Sequence, residues 1–498
     1  MRKPTIFYGA LLLSGANLAL QGVSMLFRIW LSRTVGAEGL GLMQLILSVG
    51  ALSMTVGVSG ARVTAMYLCA EEQGLRRERG VARVMGACAL YGIAASMTAG
   101  AALILGADLI AVHWIGNAGA AGSLRLLGLF LPADCLCAIL AGWLTASGRI
   151  WPLVGVEGFE RIASICLTVL LLRASAGNPS DACRAIVLGG GLASLLGLIA
   201  MASLCFCALP KPDSDIPVFR RMLRMSLPLA LGDYVKTGLS TASHLLIPRG
   251  FARYDDTASA SVAAYGVIHG MVFPVIYFPS AFLYALVDLL IPELSRLRVR
   301  GMGERIRTLS ERCFRAGAVF ACACAGVLHL FAQALSIKLF HNSQAGIYLA
   351  LFAPLTVILY LDAVTDGLLK GLGQQLYCVR CNIFTSALEV AGLIFLLPKL
   401  GVAGYFLTFT VTRLINYLLS AARLLKVSDS SLPARFCVKL ALCFGVCVTF
   451  LRAAPWLFLP AFALSLAATR TVTRADLQWL RGVILRPRFS LTTTENAV

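Results

Sequence analysis

Runs of about twenty apolar residues follow one another along the whole chain, each long enough to cross a hydrocarbon core as an α-helix. The pattern predicts spans over residues 7–31, 39–67, 82–107, 123–147, 152–173, 184–208, 226–249, 262–291, 314–336, 346–370, 381–398, 402–424, 436–451 and 454–469. That is an all-α polytopic membrane bundle of about fourteen helices, the last two short for a span. The first run does not read as a cleaved signal peptide, because it is long, carries Asn17, Gln21 and Arg28, and leads straight into a second run.

Polar positions inside these runs are spaced as deliberately as the apolar ones. Ser14, Asn17, Gln21, Ser24 and Arg28 recur at steps of three and four, so a helix carries them on one stripe ending in a cation. An intramembrane arginine costs at least about 2.5–3.5 kcal/mol when it faces lipid. The stripe is therefore expected to face a polar transport cavity. Asp233, Lys236, Ser240 and His244 form a similar file on the seventh span; Asp362, Asp366 and Lys370 lie on the tenth, and Asn382, Thr385 and Glu389 on the eleventh. An acid with neighbouring oxygens can hold Na⁺ or a proton, which makes Asp233, Glu389, Asn382 and Thr385 candidate coupling-ion residues. Helical-spacing pairs such as Asp233 with Lys236 and Asp366 with Lys370 are the structural alternative. Glu157, Glu160, Arg161 and Asp134 read as interhelical pairs, Gly189, Gly190 and Gly191 as a site of close helix approach, and His269 as a lone packing residue.

Composition agrees with the pattern: 58% hydrophobic and 13% charged residues over 498 positions, with a mean hydropathy of +0.82, leave no room for a soluble catalytic domain. The net charge is +19, from 43 Lys and Arg against 24 Asp and Glu. Its placement matters more than its size. The cations gather in alternate loops, at Arg76–Arg83, Lys211–Arg224, Arg296–Arg315, Arg423–Lys439 and Arg474–Arg488, which puts both termini in the cytoplasm and excludes a nucleic-acid-binding face. The basic stretches 296–315 and 474–488 are expected to lie as amphipathic helices on anionic lipid. Nearly all of the sixteen cysteines fall inside apolar runs, as small hydrophobes; the isolated Cys378–Cys381 pair is no metal or redox motif.

The chain also repeats itself. Leu129-Phe130-Leu131-Pro132 precedes Gly142-Trp143-Leu144 and Gly148, and Leu351-Phe352-Ala353-Pro354 precedes Gly367-Leu368-Leu369 and Gly373, so both copies read LFxP followed by GxLxxxG. Arg28 and Arg33 at the end of the first span match His244 and Arg249 at the end of the seventh. Two pseudo-symmetric six-helix lobes, 1–220 and 221–425, are expected around a central cavity, with two further helices and a basic tail over 426–498.

Phe27 to Gly41 (FRIWLSRTVGAEGLG), Ser226-Leu227-Pro228, Leu245 to Arg249 (LLIPR), Tyr265-Gly266 through Pro279, Ile291 to Ser295 and the LFAP…GLLKGLG segment resemble the stage V sporulation protein B-like polysaccharide flippases. That group lies in the multidrug/oligosaccharidyl-lipid/polysaccharide (MOP) exporter superfamily, together with lipid II flippases, and the resemblance runs from about residue 5 to 425. It implies a monomeric alternating-access transporter that moves an undecaprenyl-pyrophosphate-linked saccharide. Guanidinium groups suit such a headgroup, since each can bind phosphate through two parallel hydrogen bonds. Arg28 and Arg33 carry over by motif and Arg249 through LLIPR, with Asn17, Gln21 and Ser24 lining the same path. Arg62, in GVSGARV, stands where the family has an apolar residue. No cofactor is implied beyond a coupling Na⁺ or H⁺, and the chain has no nucleotide-binding glycine loop. A drug or cation antiporter of the same superfamily is the alternative, though it calls for an acidic, aromatic cavity. A glycan-assembly enzyme needs carboxylates on a sizeable external loop, and the external loops here are short.

Overall fold

The computed structural model describes residues 6–58, 61–74, 78–174, 178–206, 218–255, 258–430, 434–472 and 478; the candidates at Arg76, Arg77, Lys211, Arg474, Arg481, Arg486 and Arg488 lie outside them, as do the side chains of Ser14, Asn17 and Ser226–Pro228. The described residues are helical almost throughout, with no strand among them. The helices are α1 (Ile6–Val58), α2 (Ala61–Gly74), α3 (Glu78–Leu105), α4 (Ala120–Ala146), α5 (Ile150–Ala174), α6 (Pro179–Phe206), α7 (Val218–Asp255) and α8 (Ala258–Gly266). A π-helical turn, Val267–Val272, and a short helix, Phe273–Tyr277, lead on to α9 (Ser280–Val299) and α10 (Gly303–Leu330). Then come α11 (Ala332–Phe340), α12 (Ser343–Phe352), α13 (Thr356–Gly371), α14 (Gln375–Ser428), α15 (Ala434–Phe450) and α16 (Phe458–Ala468). Among the described residues, eight helical stretches are long and apolar enough to cross a membrane.

Two of the helices are too long to be single spans. At about 1.5 Å per residue, the 53 residues of α1 and the 54 of α14 each exceed twice a 30 Å hydrocarbon core. Each is broken by a glycine in the left-handed region, Gly36 at φ 76 and Gly401 at φ 56. An L side chain is strained at such angles and glycine is not. The breaks fall between the spans predicted at 7–31 and 39–67, and between 381–398 and 402–424.

The repeated motif corresponds to a repeated helix ending. After Gly142 and Gly367 the chain runs on to Gly148 (φ 66) and Gly373 (φ 71). Arg149 N–H donates to the Leu144 carbonyl at 3.0 Å and Gln374 N–H to the Leu369 carbonyl at 2.9 Å. Gly148 and Gly373 donate in the same way to Thr145 and Lys370. Both are helix stops in which glycine adopts the left-handed cap. The prolines differ in effect: Pro132 lies within a continuous α4, whereas Pro354 sits in a 3₁₀ turn that separates α12 from α13.

The chain packs as two compact units, each discontinuous in sequence. One comprises Gly22–Phe273 with Asn382–Phe409. In it α2, α3 and α4 share a core of Ala65, Leu68, Val84, Cys88, Ile139 and Leu144. Glycine lets the backbones of α3 and α4 meet: a Cβ at Gly100 or Gly128 would press on the other's carbonyl oxygen. Gly189 lies on the Thr168 backbone and Gly191 under the Phe130 ring, the close approach expected for that span. The other unit comprises Pro274–Cys381, residues 6–21 and the described chain from Thr410 onward. Its core joins Val287, Leu290 and Leu294 of α9 to Val364 and Leu368 of α13, and α15 and α16 pack on α10 through Phe436, Leu440, Phe458 and Phe462.

The basic stretch 296–315 is not a separate surface helix. It forms the facing ends of α9 and α10, joined by a turn at Gly301 (φ 68), so its cations extend from the ends of two spans.

Candidate functional site

Helix α1 holds the first set of candidates before its break. Gln21 and Arg33 are exposed, and Ser24 and Arg28 are half-buried. Arg28 and Arg161 of α5 bear on each other electrostatically, two guanidinium groups within one compact unit. From Arg161 a series of charges continues across neighbouring helices. Glu160 interacts with Arg161, Glu157 and Asp134. Asp134 accepts a short hydrogen bond from the Ser194 hydroxyl. Glu157 approaches Arg62 at 3.8 Å, with 30% and 52% of the two side chains exposed. A pair so long and so wet contributes at most about 1 kcal/mol. Arg62 is thus seated by packing as well as by charge, because Gly142 of α4 leaves its backbone carbonyl room: a Cβ there would stand 2.6 Å from it.

Helix α7 supplies the second set. Tyr234 donates to the Val56 carbonyl at 3.2 Å, Thr237 meets Thr55 at 3.3 Å, and Thr241 donates to the Ser48 carbonyl at 3.0 Å, a polar seam at helical spacing that fixes α7 against α1. On the adjoining face Asp233, Lys236 and Ser240 are exposed, as is Arg249 near the helix end. His244 leaves that file and turns inward. On α14, Asn382 and Glu389 are half-buried and Thr385 is buried, its hydroxyl donating to the Asn382 carbonyl at 3.3 Å. Asp233, Asn382, Thr385 and Glu389 belong to the same compact unit as Arg28.

Two arrangements escaped the reading of the sequence. In the unit built on α9, α10 and α13, the buried Asn416 amide donates to both carboxylate oxygens of Asp362, at 2.9 and 3.1 Å. Asp366 beside it is paired with Lys370 at 2.6 Å, as its spacing allowed. In the other unit His269 is not alone. Its ring lies 5.0 Å from that of His244, edge to face, and its Nε2 is 3.0 Å from the Tyr405 hydroxyl. His244 Nδ1 is in turn 3.0 Å from the Tyr265 hydroxyl. No local spacing announces either group, because each joins residues from well-separated parts of the chain. Among the described residues no three His, Cys, Asp or Glu side chains are grouped to hold a metal ion.

No family model matches the chain. It is 22% identical over 470 residues to stage V sporulation protein B of Bacillus subtilis (strain 168), covering 90% of this chain and 88% of that protein. Among solved structures it is similar to the lipid II flippase MurJ in an inward closed conformation, with a TM-score of 0.67 and 13% identity over 95% of this chain and 100% of that one. It is similar as well to an inward-facing multidrug resistance MATE family transporter of the MOP superfamily, with a TM-score of 0.64 and 13% identity over 83% and 96% of the two chains. The chain is accordingly a polytopic helical membrane protein with the fold of the MOP-superfamily transporters, similar in sequence to stage V sporulation protein B over nine-tenths of its length.

Proposed function

We propose that this protein is a flippase that moves an undecaprenyl-pyrophosphate-linked saccharide, lipid II or a related wall or polysaccharide precursor, across the bacterial cytoplasmic membrane by alternating access. The observation that carries the reading is the placement of Arg28. It is a half-buried guanidinium on an apolar helix, within electrostatic reach of a second one, Arg161. Two like charges repel, and a multiply anionic group between them relieves that repulsion while taking up hydrogen bonds from both. A pyrophosphate has the required charge, and the likeness to stage V sporulation protein B and MurJ supports a lipid-linked glycan as its bearer. Arg33, Arg62 and Arg249, with Ser24, would line the same path. Asp233, Glu389, Asn382 and Thr385 are the carboxylate and oxygen groups assigned to a coupling Na⁺ or proton. Both termini are assigned to the cytoplasm, and the working unit is one chain.

The test is flipping of lipid II and of an undecaprenyl-linked glycan in proteoliposomes under imposed Na⁺, proton or voltage gradients. Arg28→Ala is expected to abolish flipping while the protein still purifies as a folded monomer. Arg28→Lys keeps the charge but loses the planar fork, and is expected to retain about a tenth of the rate. Full activity of Arg28→Ala, or export of cationic dyes instead of lipid, overturns the reading.

A further inference from the structure

The histidine pair adjoins the break in α1. His269 lies in the π-helical turn Val267–Val272, a geometry that concentrates at functional sites. Two glycines, Gly266 just before the turn and Gly270 within it, rest on the chain just past Gly36: Gly266 has no room for a Cβ against the Ala37 carbonyl, and Gly270 lies on the Leu40 side chain. Aromatic rings enclose His269, with Tyr265 at 4.6 Å, Phe273 at 4.8 Å and Tyr405 at 5.8 Å between centroids. Tyr405 and Phe273 stand in turn against Phe409, at 6.0 and 5.1 Å. Both histidines are half-buried.

Among the described residues, the titratable groups facing His269 are His244 from α7, Tyr265 from α8 and Tyr405 from the part of α14 after its break; α1 meets the turn with Ala37, Leu40 and Gly41. The two imidazoles can accept one proton between them. Two charged rings 5.0 Å apart would repel strongly, which limits the pair to a single imidazolium. Proton uptake also changes the hydrogen bonding. Whatever the starting tautomer, a charged ring donates from both nitrogens, so the tyrosine oxygen that meets it must accept and its own proton must find another partner.

We infer that His244 and His269 form a one-proton site whose occupancy sets how the Val267–Val272 turn seats on the α1 break at Gly36, and that this proton, in place of an ion at Asp233 or Glu389, is the one coupled to transport. The inference deepens the flippase reading by naming a coupling ion and its site, and as a device acting on Gly36 it can be tested without substrate. Hydrogen–deuterium exchange of residues 33–42 and 262–274 is followed in lipid nanodiscs between about pH 5 and pH 8, the range in which histidine changes charge. Once the intrinsic slowing of amide exchange in acid is divided out, protection in both segments is expected to fall together by about tenfold on acidification. His244→Gln with His269→Gln should remove that dependence. Should the double variant fail to fold, Tyr405→Phe, which keeps both imidazoles, is expected to move the midpoint of the transition.

Protection that ignores pH in the wild type, an unchanged acid response in the double variant, or an unmoved midpoint in Tyr405→Phe overturns the site. Parallel flipping assays separate the two readings. A wild type that flips lipid II with a pH profile kept by the double variant removes the histidine site and leaves the flippase. A wild type that flips nothing, yet shows histidine-dependent exchange, removes the flippase and leaves the proton site.

Discussion

A charged side chain inside a membrane protein costs little only where its surroundings answer it, and this chain answers its charges in different ways. Arg62 has Glu157 at arm's length, Asp366 has Lys370, and Asp362 has the buried amide of Asn416. The last is the most consequential for stability, because Asn416 is buried and gives both carboxylate oxygens a donor. Asn416→Ala should leave that carboxylate short of its partner and cost about 1–3 kcal/mol. Thermal unfolding in detergent is expected to fall by several degrees, and Asp362→Asn together with Asn416→Asp, which exchanges the groups, should recover part of the loss. The ladder of Arg28, Ser24 and Gln21 was legible in the sequence, since helical spacing alone puts residues on one stripe. The partners of Asp362 and His269 were not, because contacts between distant spans leave no mark on local spacing.

At the scale of elements the chain's breaks matter as much as its helices. Gly36 and Gly401 both sit at positive φ, but their surroundings differ. A Cβ at Gly36 would meet open space, whereas one at Gly401 would stand 2.8 Å from the Tyr254 ring. Both Gly36→Ala and Gly401→Ala carry the backbone cost of about 1–2 kcal/mol for an L residue in that region. Gly401→Ala adds steric pressure on Tyr254, so its melting temperature should drop further than that of Gly36→Ala. Equal losses would mean that Tyr254 yields freely. The positions of these breaks followed from hydropathy, since a helix cannot remain in hydrocarbon beyond about twenty residues. The π-helical turn did not, because the same apolar run serves an α-helix equally well.

At the scale of the whole molecule, the alternation of basic and short neutral connections predicts a definite orientation. Single cysteines placed at Arg300, in the turn between α9 and α10, and at Asn117, after α3, should lie on opposite sides of the membrane. An impermeant maleimide added to intact cells is expected to label Asn117→Cys at once and Arg300→Cys only after permeabilisation. The native thiols interfere little, for most described cysteines are buried. The reverse labelling would invert the topology and with it the assignment of both termini.

Class, span positions and the repeated glycine caps were written in the chain, because insertion into hydrocarbon depends on apolar length, and a left-handed cap on glycine; all are properties of neighbouring residues. Tertiary structure decided that residues 382–409 pack with 22–273, that Asn416 reaches Asp362, and that His269 meets His244 and Tyr405. Those pairings depend on which helix faces meet across the bundle, and helices of similar apolar character admit many such meetings until side-chain shape and hydrogen bonding select one.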